Sequence, residues 1–294
     1  HTITSDNIPN GAIPFDQIWQ LPADTFFQYI PQVVGLYQYV CTPHIPFGMI
    51  GEFTVVNGPQ TYVPDDNFEA YLEANGIGNG IANDDSVFTS NINTVTNLSV
   101  SSLNIADLTG IEDFTALTNL SCHFNQLTSL DVSANTALDY LSCANNNLTS
   151  LDVSVNTALT YLNCGGNQFL TSLDVSQNTA LTSLSCNFNP FTSLDLSQNT
   201  ALTELQCIGN LLTNLDVSQN TAFLYLDCRM NQLITLDVSQ NTALNYLICS
   251  ENQLTSLDVS QNTALTCLWC YDNQLTSLDV RNGNNNLLDT NFSC

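Results

Sequence analysis

Lysine is absent from this chain of 294 residues, and its only two cationic side chains, Arg229 and Arg281, stand against 27 acidic ones. The formal net charge at pH 7 is therefore −25. Nucleic acids and anionic membrane surfaces bind clustered lysine and arginine, so neither is expected as a partner. Hydrophobic residues nevertheless make up 44% of the chain. This fraction predicts a folded core rather than an acidic disordered chain.

Several other signals are missing. No apolar run of about 18 residues or more occurs, so no membrane insertion is predicted. The chain begins at His1 without the basic and apolar stretches of a secretion signal, as in a processed or trimmed chain. His1, His44 and His123 show no metal-ligand spacing. No phosphate-binding glycine motif and no G-x-S-x-G motif occur. We therefore expect no enzyme, and no catalytic, cofactor-binding or metal-binding residue.

One unit is repeated along most of the chain. It reads A-L-T-x-L-x-C-x-x-N-x-L-T-S-L-D-V-S-x-N-T and is clearest from Ala201 to Thr221. Its cysteines lie 21 residues apart, with a single step of 22 where one residue is inserted between Asn167 and Thr171. The members of this cysteine column are Cys122, Cys143, Cys164, Cys186, Cys207, Cys228, Cys249 and Cys270. An earlier turn without cysteine has Val100 in the same position.

The spacing L-x-x-L-x-C-x-x-N-x-L is that of a leucine-rich repeat with cysteine in place of one leucine. Alternation on a short parallel strand sends Leu120 and Cys122 inward and Ser121 outward. Asn125 then turns inward, where its amide can bond backbone groups at the bend, so we expect an asparagine ladder. One turn cannot bury its own apolar face, which means that the turns must stack.

These repeats resemble the bacterial internalin-type leucine-rich-repeat proteins, in particular the internalin J-like subtype with 21-residue repeats and a cysteine ladder. Similar repeats recur in secreted proteins of Bacteroidetes. The resemblance runs from Tyr62 to Cys294 and includes the segment 63–72, which looks like a helical cap, and the first-turn motif at 107–114. It implies a secreted or surface-displayed module, extracellular or on the bacterial cell surface, that binds proteins or glycans.

The predicted fold is an α/β-type solenoid, mostly β. It is a right-handed leucine-rich-repeat coil of parallel strands with a helical N-terminal cap and a separate aromatic-rich N-terminal segment. We assign residues 1–61 to that segment, as a docking segment or small β-rich unit, and 62–94 to the cap with a short helix. Residues 95–294 form the solenoid: one irregular turn, eight turns of 21 or 22 residues, and a final partial turn.

The stacked cysteines favour a column of reduced, buried thiols, because parallel side chains do not offer the geometry of a disulfide. Alternate pairing into disulfides is the other interpretation. Cys267 lies in an outward position and is expected to be an exposed thiol. Cys294 repeats the frame after Cys270 and is expected to be a ninth rung; a Cys267–Cys294 bridge is the less favoured alternative. Cys41 has no evident partner.

The outward positions of the strands are the first candidates for binding, because solenoids bind through their concave sheet. Exposed tyrosine and tryptophan are frequent anchors of interfaces and of sugar-stacking sites. The alternative is that tyrosine simply suits an exposed β-surface. The predicted partner-binding residues are Tyr140, Tyr161, Tyr225, Tyr246, Ile248, Trp269 and Tyr271.

An aspartate also recurs once in each unit. Neighbouring carboxylates about 5 Å apart repel by about 0.8 kcal/mol in water. Hydrogen bonds from serine, threonine or backbone N–H groups would offset this cost. A row of Ca²⁺ ions is the alternative, although one carboxylate per turn is a sparse ligand set. This aspartate column consists of Asp131, Asp152, Asp174, Asp195, Asp216, Asp237, Asp258 and Asp279.

The two ends suggest a second function. Residues 1–61 contain many aromatics and prolines without a repeat, and no capping turn follows Cys294. A bare end exposes apolar surface and unpaired strand edges, so we expect the natural chain to continue or another subunit to cover it. The predicted assembly residues are Phe26, Phe27, Tyr29, Tyr37, Tyr39 and Cys294. The first hypothesis is a non-catalytic adhesion or recognition protein that binds a protein or glycan. The alternative is a subunit that assembles with identical subunits into a filament or surface layer.

Overall fold

The computed structural model describes residues 2–18, 33–41, 50–55, 58–283 and 292–293. The chain divides into two compact units, His1–Gln60 and Thr61–Cys294. In the described ranges no helix is both long and apolar enough to cross a membrane. Each unit has its own sheet.

The N-terminal unit contains a four-stranded antiparallel sheet. Its strands are β1 (Thr2–Asn7), β2 (Asp16–Ile18), β3 (Gly35–Cys41) and β4 (Ile50–Val55), in the order β2-β1-β3-β4. Tyr37 on β3 is fully buried, and its ring stacks on Phe53 with 5.0 Å between ring centroids. Its hydroxyl donates a hydrogen bond to the carbonyl of Val33 at 2.7 Å. Aromatic side chains of this segment therefore build its core.

A cap precedes the repeats. It consists of β5 (Gln60–Tyr62), helix α1 (Asp66–Ala74), β6 (Ser86–Phe88) and helix α2 (Thr89–Ile92), with β5 and β6 paired. Asp65 begins α1, because its Oδ1 accepts hydrogen bonds from the N–H groups of Asn67 and Phe68, each at 3.0 Å. Phe68 is fully buried and packs on Phe114 of the first turns. The helical cap predicted from residues 63–72 is confirmed.

The repeats form a solenoid around a ten-stranded parallel sheet, which confirms the predicted fold class. The middle leucines of successive strands are in register, as Leu205 is with Leu226. A 3-10 turn at Ile111–Asp113 lies in the first turns. The strands of this sheet are β7 (Asn97–Ser99), β8 (Asn119–Ser121), β9 (Tyr140–Ser142), β10 (Tyr161–Asn163), β11 (Ser183–Ser185), β12 (Glu204–Gln206), β13 (Tyr225–Asp227), β14 (Tyr246–Ile248), β16 (Cys267–Trp269) and β18 (Phe292–Ser293).

Two further short strands, β15 (Ser256–Asp258) and β17 (Ser277–Asp279), pair with each other in the last turns. The final strand β18 aligns Phe292 with Leu268 and Ser293 with Trp269. A strand in the register of a ninth rung is therefore present, although Cys294 itself lies outside the described residues. The inserted residue in the 22-residue turn is accommodated on the surface, since Phe169 is exposed while Leu170 is buried.

The cysteine column lies in the core, as predicted. Its members from Cys122 to Cys249 are buried free thiols, which confirms the reduced column for these seven turns. Burial raises the pKa of the Cys122 and Cys164 thiols to about 12. Cys270 differs, because it is disulfide-bonded. The expected exposed thiol at Cys267 is wrong: this side chain is only 5% exposed, in register with Tyr246 of the neighbouring strand.

The predicted asparagine ladder is confirmed and links each turn to the one before it. This first asparagine column contains Asn125, Asn146, Asn167, Asn189, Asn210, Asn231, Asn252 and Asn273. In a typical rung, the Asn210 amide donates to the carbonyls of Cys186 and Cys207 at 3.1 and 3.0 Å. Its Oδ1 accepts the N–H of Phe191 in the preceding turn at 3.3 Å. The column thus satisfies backbone groups that the bend leaves without a ladder partner.

A second asparagine column, which the sequence reasoning missed, closes the opposite side of the coil. It contains Asn135, Asn156, Asn178, Asn199, Asn220, Asn241, Asn262 and Asn282. Asn220 shows the pattern: its amide donates to the carbonyls of Leu196 and Asn199 at 3.0 and 2.9 Å. Its Oδ1 is buried without a hydrogen-bond partner, as it is in six other members of the column. The two columns therefore differ in how completely their amides are used.

Candidate binding face

The outward side of the ten-stranded sheet, called the sheet face below, carries the first and last residue of each three-residue strand from β7 to β16. The middle leucine of each of these nine strands is buried, and side chains alternate across a strand. Tyr140, Tyr161, Tyr225 and Tyr246 begin β9, β10, β13 and β14, in register with one another as neighbouring pairs. The four predicted tyrosines therefore lie on one surface.

Tyr140 and Tyr161 form a parallel stack near the N-terminal half of the sheet face. Their ring centroids are 4.4 Å apart and the ring planes differ by 3°. Burial raises the pKa of the Tyr161 hydroxyl, and the neighbouring Tyr140 raises it further. Both side chains are half-buried. The stack offers a flat apolar edge, but each ring already uses one face for its neighbour.

Tyr225 and Tyr246 form a looser pair in the C-terminal half. Their ring centroids are 5.9 Å apart and the planes differ by 38°. Tyr246 is 46% exposed, which is the greatest exposure among the four tyrosines. Burial raises the pKa of the Tyr225 hydroxyl, and the nearby Asp227 raises it further. This pair leaves more ring surface accessible than the stacked pair does.

An ion pair lies beside the C-terminal tyrosines. The side chain of Asp227 is buried and lies 3.4 Å from Nε of Arg229. The backbone N–H of Arg229 donates to Asp227 Oδ1 at 3.3 Å, and the Tyr225 hydroxyl lies 3.5 Å from Oδ2. Burial raises the pKa of Asp227, while the hydrogen bond and charge of Arg229 lower it. One of the two arginines of the chain is thus fixed on the sheet face.

The remaining predicted residues follow on β14, β16 and the segment after it. Ile248 aligns with Asp227 on one side and with Trp269 on the other. It is only 7% exposed, so the prediction of an exposed anchor is wrong for this residue; its in-register neighbours cover it. Trp269 and Tyr271 are half-buried and keep accessible ring surface. Tyr225, Tyr246, Trp269 and Tyr271 are called the C-terminal aromatic patch below.

A column of left-handed residues at the edge of the sheet face was not predicted. In each turn the residue before the first-column asparagine has a positive φ, and the column contains Phe124, Asn145, Gly166, Phe188, Gly209, Met230, Glu251 and Asp272. Phe188, with φ +53°, is 56% exposed, and its ring lies over the α-carbon of Gly209. Such a backbone is unfavourable for a bulky side chain. Gly166, Gly209 and Asn145 could have indicated this column in the sequence, because glycine and asparagine favour the left-handed backbone.

The aspartate column forms a polar ridge away from the sheet face. Oδ1 of Asp216 accepts the N–H of Ser218 at 2.9 Å, and the same bond recurs at other turns. The pKa of Asp216 is lowered mainly by the hydrogen bond from the backbone N–H of Ser218, and next by the hydrogen bond from the Ser218 hydroxyl. The predicted structural hydrogen bonding is confirmed. A groove of about 430 Å³ follows Asp216, Asp237 and Asp258. The Ca²⁺ row stays untested.

A polar cluster lies near the N-terminal edge of the sheet face. Nδ1 of His123 lies 3.0 Å from Oγ of Ser101 and 2.9 Å from Oγ of Ser121. The two hydroxyls are 3.1 Å apart, so the three side chains form one hydrogen-bonded cluster.

In the cap, carboxylates of Asp66, Glu69 and Asp85 come together, although the sequence predicted no metal-binding residue.

Little of the predicted assembly surface lies in the described part of the chain. Phe26, Phe27, Tyr29 and Cys294 fall outside the described residues. Tyr37 is fully buried in its own sheet, so it does not offer a surface contact. Tyr39 is half-buried and packs near Phe15 and Phe53, with ring centroids 6.5 and 6.4 Å away. Tyr37 and Tyr39 are withdrawn from the surface because aromatic side chains on one face of an antiparallel sheet bury one another.

Known proteins similar to this chain share its repeats. No family model matches the chain. Internalin J of Listeria monocytogenes is 47% identical over 75 residues, which are 26% of this chain and 8% of that protein. The solved functional domain of internalin J, which includes a cysteine ladder, is 45% identical with a TM-score of 0.71. That alignment covers 77% of this chain and 51% of the solved domain.

A leucine-rich-repeat protein of Leptospira interrogans is also similar. It is 27% identical with a TM-score of 0.55, over 63% of this chain and 48% of that one. The chain therefore spans about half the length of these solved relatives. The solved internalin J domain and this chain both have a cysteine ladder. The solenoid of this chain is a leucine-rich-repeat domain with a cysteine ladder, and it is similar to the solved domain of internalin J.

Proposed function

We propose that the chain is a non-catalytic secreted or cell-surface protein that binds a protein or a glycan through its sheet face. The C-terminal aromatic patch carries this proposal. Tyr246 is exposed, Tyr225, Trp269 and Tyr271 are half-buried, and the Asp227–Arg229 pair lies among them. Binding energy in protein interfaces is concentrated in aromatic and arginine side chains held in such rigid surroundings.

The rigidity of the patch favours binding. The strands beneath it are locked in register from Tyr225 through Tyr246 to Cys267, and the Asp227 carboxylate holds Arg229 in place. Rings that are already fixed lose little conformational entropy when a partner covers them. An arginine among aromatic rings offers hydrogen bonds to a peptide carbonyl or to a sugar hydroxyl. The patch thus combines apolar contact with a directed polar group.

The net charge of the chain limits which classes of partner it attracts. With a net charge of −25, the protein repels acidic surfaces at low ionic strength and attracts basic ones. We therefore expect association to slow as salt is added, because long-range attraction is screened. This expectation applies to a basic protein partner. A neutral glycan would bind with little dependence on salt.

The test uses the whole chain immobilised on a biosensor and screened against extracellular protein ectodomains and a glycan array. A variant with Tyr225→Ala, Tyr246→Ala and Trp269→Ala should weaken a detected partner by at least about 30-fold, which corresponds to about 2 kcal/mol. The matched control, Val155→Ala with Ile234→Ala, removes exposed apolar side chains outside the strands. If the triple variant binds as the unchanged protein does, the sheet-face proposal fails.

The structural-subunit alternative stays a prediction, since four of its six residues lie outside the described part of the chain. It differs in what it expects of the purified protein alone. Electron microscopy and mass photometry would show filaments or sheets if it holds, and the triple variant would still assemble. A monodisperse monomer at micromolar concentration would count against it.

A further inference from the structure

We propose that Asp66, Glu69 and Asp85 form a divalent-cation site in the cap, suited to Ca²⁺. Asp66 and Glu69 lie on α1, and Asp85 directly precedes β6. One carboxylate oxygen from each residue lies within 4.8 Å of the others. Among the described residues, no other group of three or more His, Cys, Asp or Glu side chains lies close enough together to hold one ion.

Glu69 supplies the independent observation. Its side chain is only 1% exposed, and Oε1 accepts the N–H of Asp84 at 3.1 Å. Its other oxygen, Oε2, is buried without a hydrogen-bond partner. A buried carboxylate oxygen without a donor is costly unless a cation or a proton meets it. Burial raises the pKa of Glu69, and the neighbouring Asp84 carboxylate raises it too, while the N–H groups of Asp84 and Asp85 lower it.

Neither arginine of the chain neutralises this cluster, because they pair with Asp227 and Asp279. Residues 61–94 contain no lysine and no arginine, and the two arginines of the chain lie in later turns. The cluster gathers three carboxylates, with Asp84 next to them, at the start of a helix. Helix N-termini favour negative charge, but the effect of one helix end is small against three carboxylates. A bound divalent cation would offset the repulsion between the carboxylates and would coordinate the unpartnered oxygen of Glu69.

The coordination chemistry favours Ca²⁺ over Mg²⁺, because Ca²⁺ accepts oxygen ligands in flexible geometry and Mg²⁺ demands a near-ideal octahedron. Ca²⁺ takes six to eight oxygen ligands at about 2.3–2.6 Å, so oxygens up to about 4.8 Å apart can share one ion. Mg²⁺ requires an octahedron at about 2.0–2.1 Å and therefore needs closer oxygens. Three carboxylates leave further positions for water. A site of this type, with part of its shell supplied by solvent, should bind with a dissociation constant of about 10⁻⁴–10⁻³ M, as extracellular modules do.

An ion at this position would tie two elements of the cap together. It joins α1, whose Phe68 and Leu72 are buried over the first turns, to the segment that leads into β6. Asp65, adjacent to Asp66, already binds the solenoid, because its Oδ2 accepts the N–H groups of Ala106 and Asp107. The proposed ion therefore stabilises the end of the core that the cap covers. It is independent of the sheet face.

The test is calorimetric titration of CaCl₂ into the whole chain after treatment with EDTA. We expect one ion per chain, a higher midpoint of thermal unfolding with Ca²⁺, and a smaller effect of Mg²⁺. Glu69→Gln should abolish the binding and the thermal shift. In EDTA the same variant should unfold at a temperature no lower than that of the unchanged protein, because it removes repulsion while keeping the shape of the side chain.

A second variant and a control keep the result decisive. Asp66→Asn, at an exposed position, should weaken Ca²⁺ binding at least tenfold without a risk to folding. Asp139→Asn, exposed in a later turn, removes the same charge and should leave the titration unchanged. Absence of binding up to 10 mM CaCl₂, which is about ten times the weakest expected constant, would overturn the site. Binding of several ions that survives Glu69→Gln would also overturn it, and would point to the aspartate column.

Discussion

The two asparagine columns allow a controlled measurement of what one ladder rung contributes. Asn210 and Asn220 lie in the same turn, and both are buried. Replacing either by alanine deletes the same atoms. Asn210→Ala removes the hydrogen-bond partner of the Phe191 N–H, and it removes one of the two amide donors to each of the carbonyls of Cys186 and Cys207.

Asn220→Ala removes less. The carbonyls of Leu196 and Asn199 keep the turn hydrogen bonds from the N–H groups of Asn199 and Leu202. The substitution also removes a buried Oδ1 that has no partner. A buried N–H without a partner costs about 1–3 kcal/mol, and a lost second bond to a carbonyl costs about 0.5–1 kcal/mol. We therefore expect roughly 2–5 kcal/mol lost for Asn210→Ala and roughly 0–2 kcal/mol for Asn220→Ala.

The measurement is urea unfolding of the whole chain, followed by circular dichroism and checked for an unchanged dependence on urea. Because repeat arrays can unfold in parts, hydrogen exchange should accompany it and locate the loss in the turns around Phe191. Equal losses in the two variants, or a larger loss for Asn220→Ala, would refute the reasoning that the unpaired N–H dominates.

Three further results are expected. Gly209→Ala should cost about 1–3 kcal/mol of unfolding free energy, because φ is +63° and a Cβ would lie 2.5 Å from the Phe188 ring; Phe188→Asn in the same chain should recover part of it, and an additive loss would contradict the contact. The thiols of Cys122 and Cys164, whose pKa burial raises to about 12, should resist iodoacetamide at pH 8 until urea unfolds the chain, as peptide mapping would show; rapid labelling of the native protein contradicts their burial. Serine N–H groups hold the pKa of four aspartates below its ordinary value, so their stabilisation is present above about pH 4 and is lost as pH falls through the lowered values. Replacing Asp174, Asp195, Asp216 and Asp237 by asparagine should flatten the fall of stability between about pH 4 and pH 2, and an unchanged slope would speak against these bonds.

The repeating core could be predicted because a column fixes its environment many times over. Leu205, Cys207 and Asn210 recur at the same spacing in turn after turn, so one strand pattern assigns the inward positions of all of them. The second asparagine column was missed because S-x-N-T also fits an ordinary surface turn. Only the closure of the coil brings Asn220 under the carbonyls of the turn before it.

The sheet face was predictable in position but not in exposure. Tyr225 and Tyr246 are outward, as strand alternation requires. Asp227 and Ile248 occupy equivalent outward positions and are nevertheless buried, because the side chains on neighbouring strands cover them. That covering depends on the sizes of residues about 21 positions away. The N-terminal unit has no repeat to read, so the burial of Tyr37 followed only from its sheet.

The ladder also determines which changes of length the solenoid tolerates. Every rung bonds groups about 21 residues away, so a duplicated or deleted whole unit presents the same donors and acceptors to its new neighbours. A single extra residue does not. In the 22-residue turn, Asn189 accepts the N–H of Asn167, whereas the equivalent oxygens elsewhere accept an N–H two positions further along, as Asn167 does from Leu148. Genetic gain or loss of entire units can therefore slide the aromatic patch along the array while leaving the cap and the core intact.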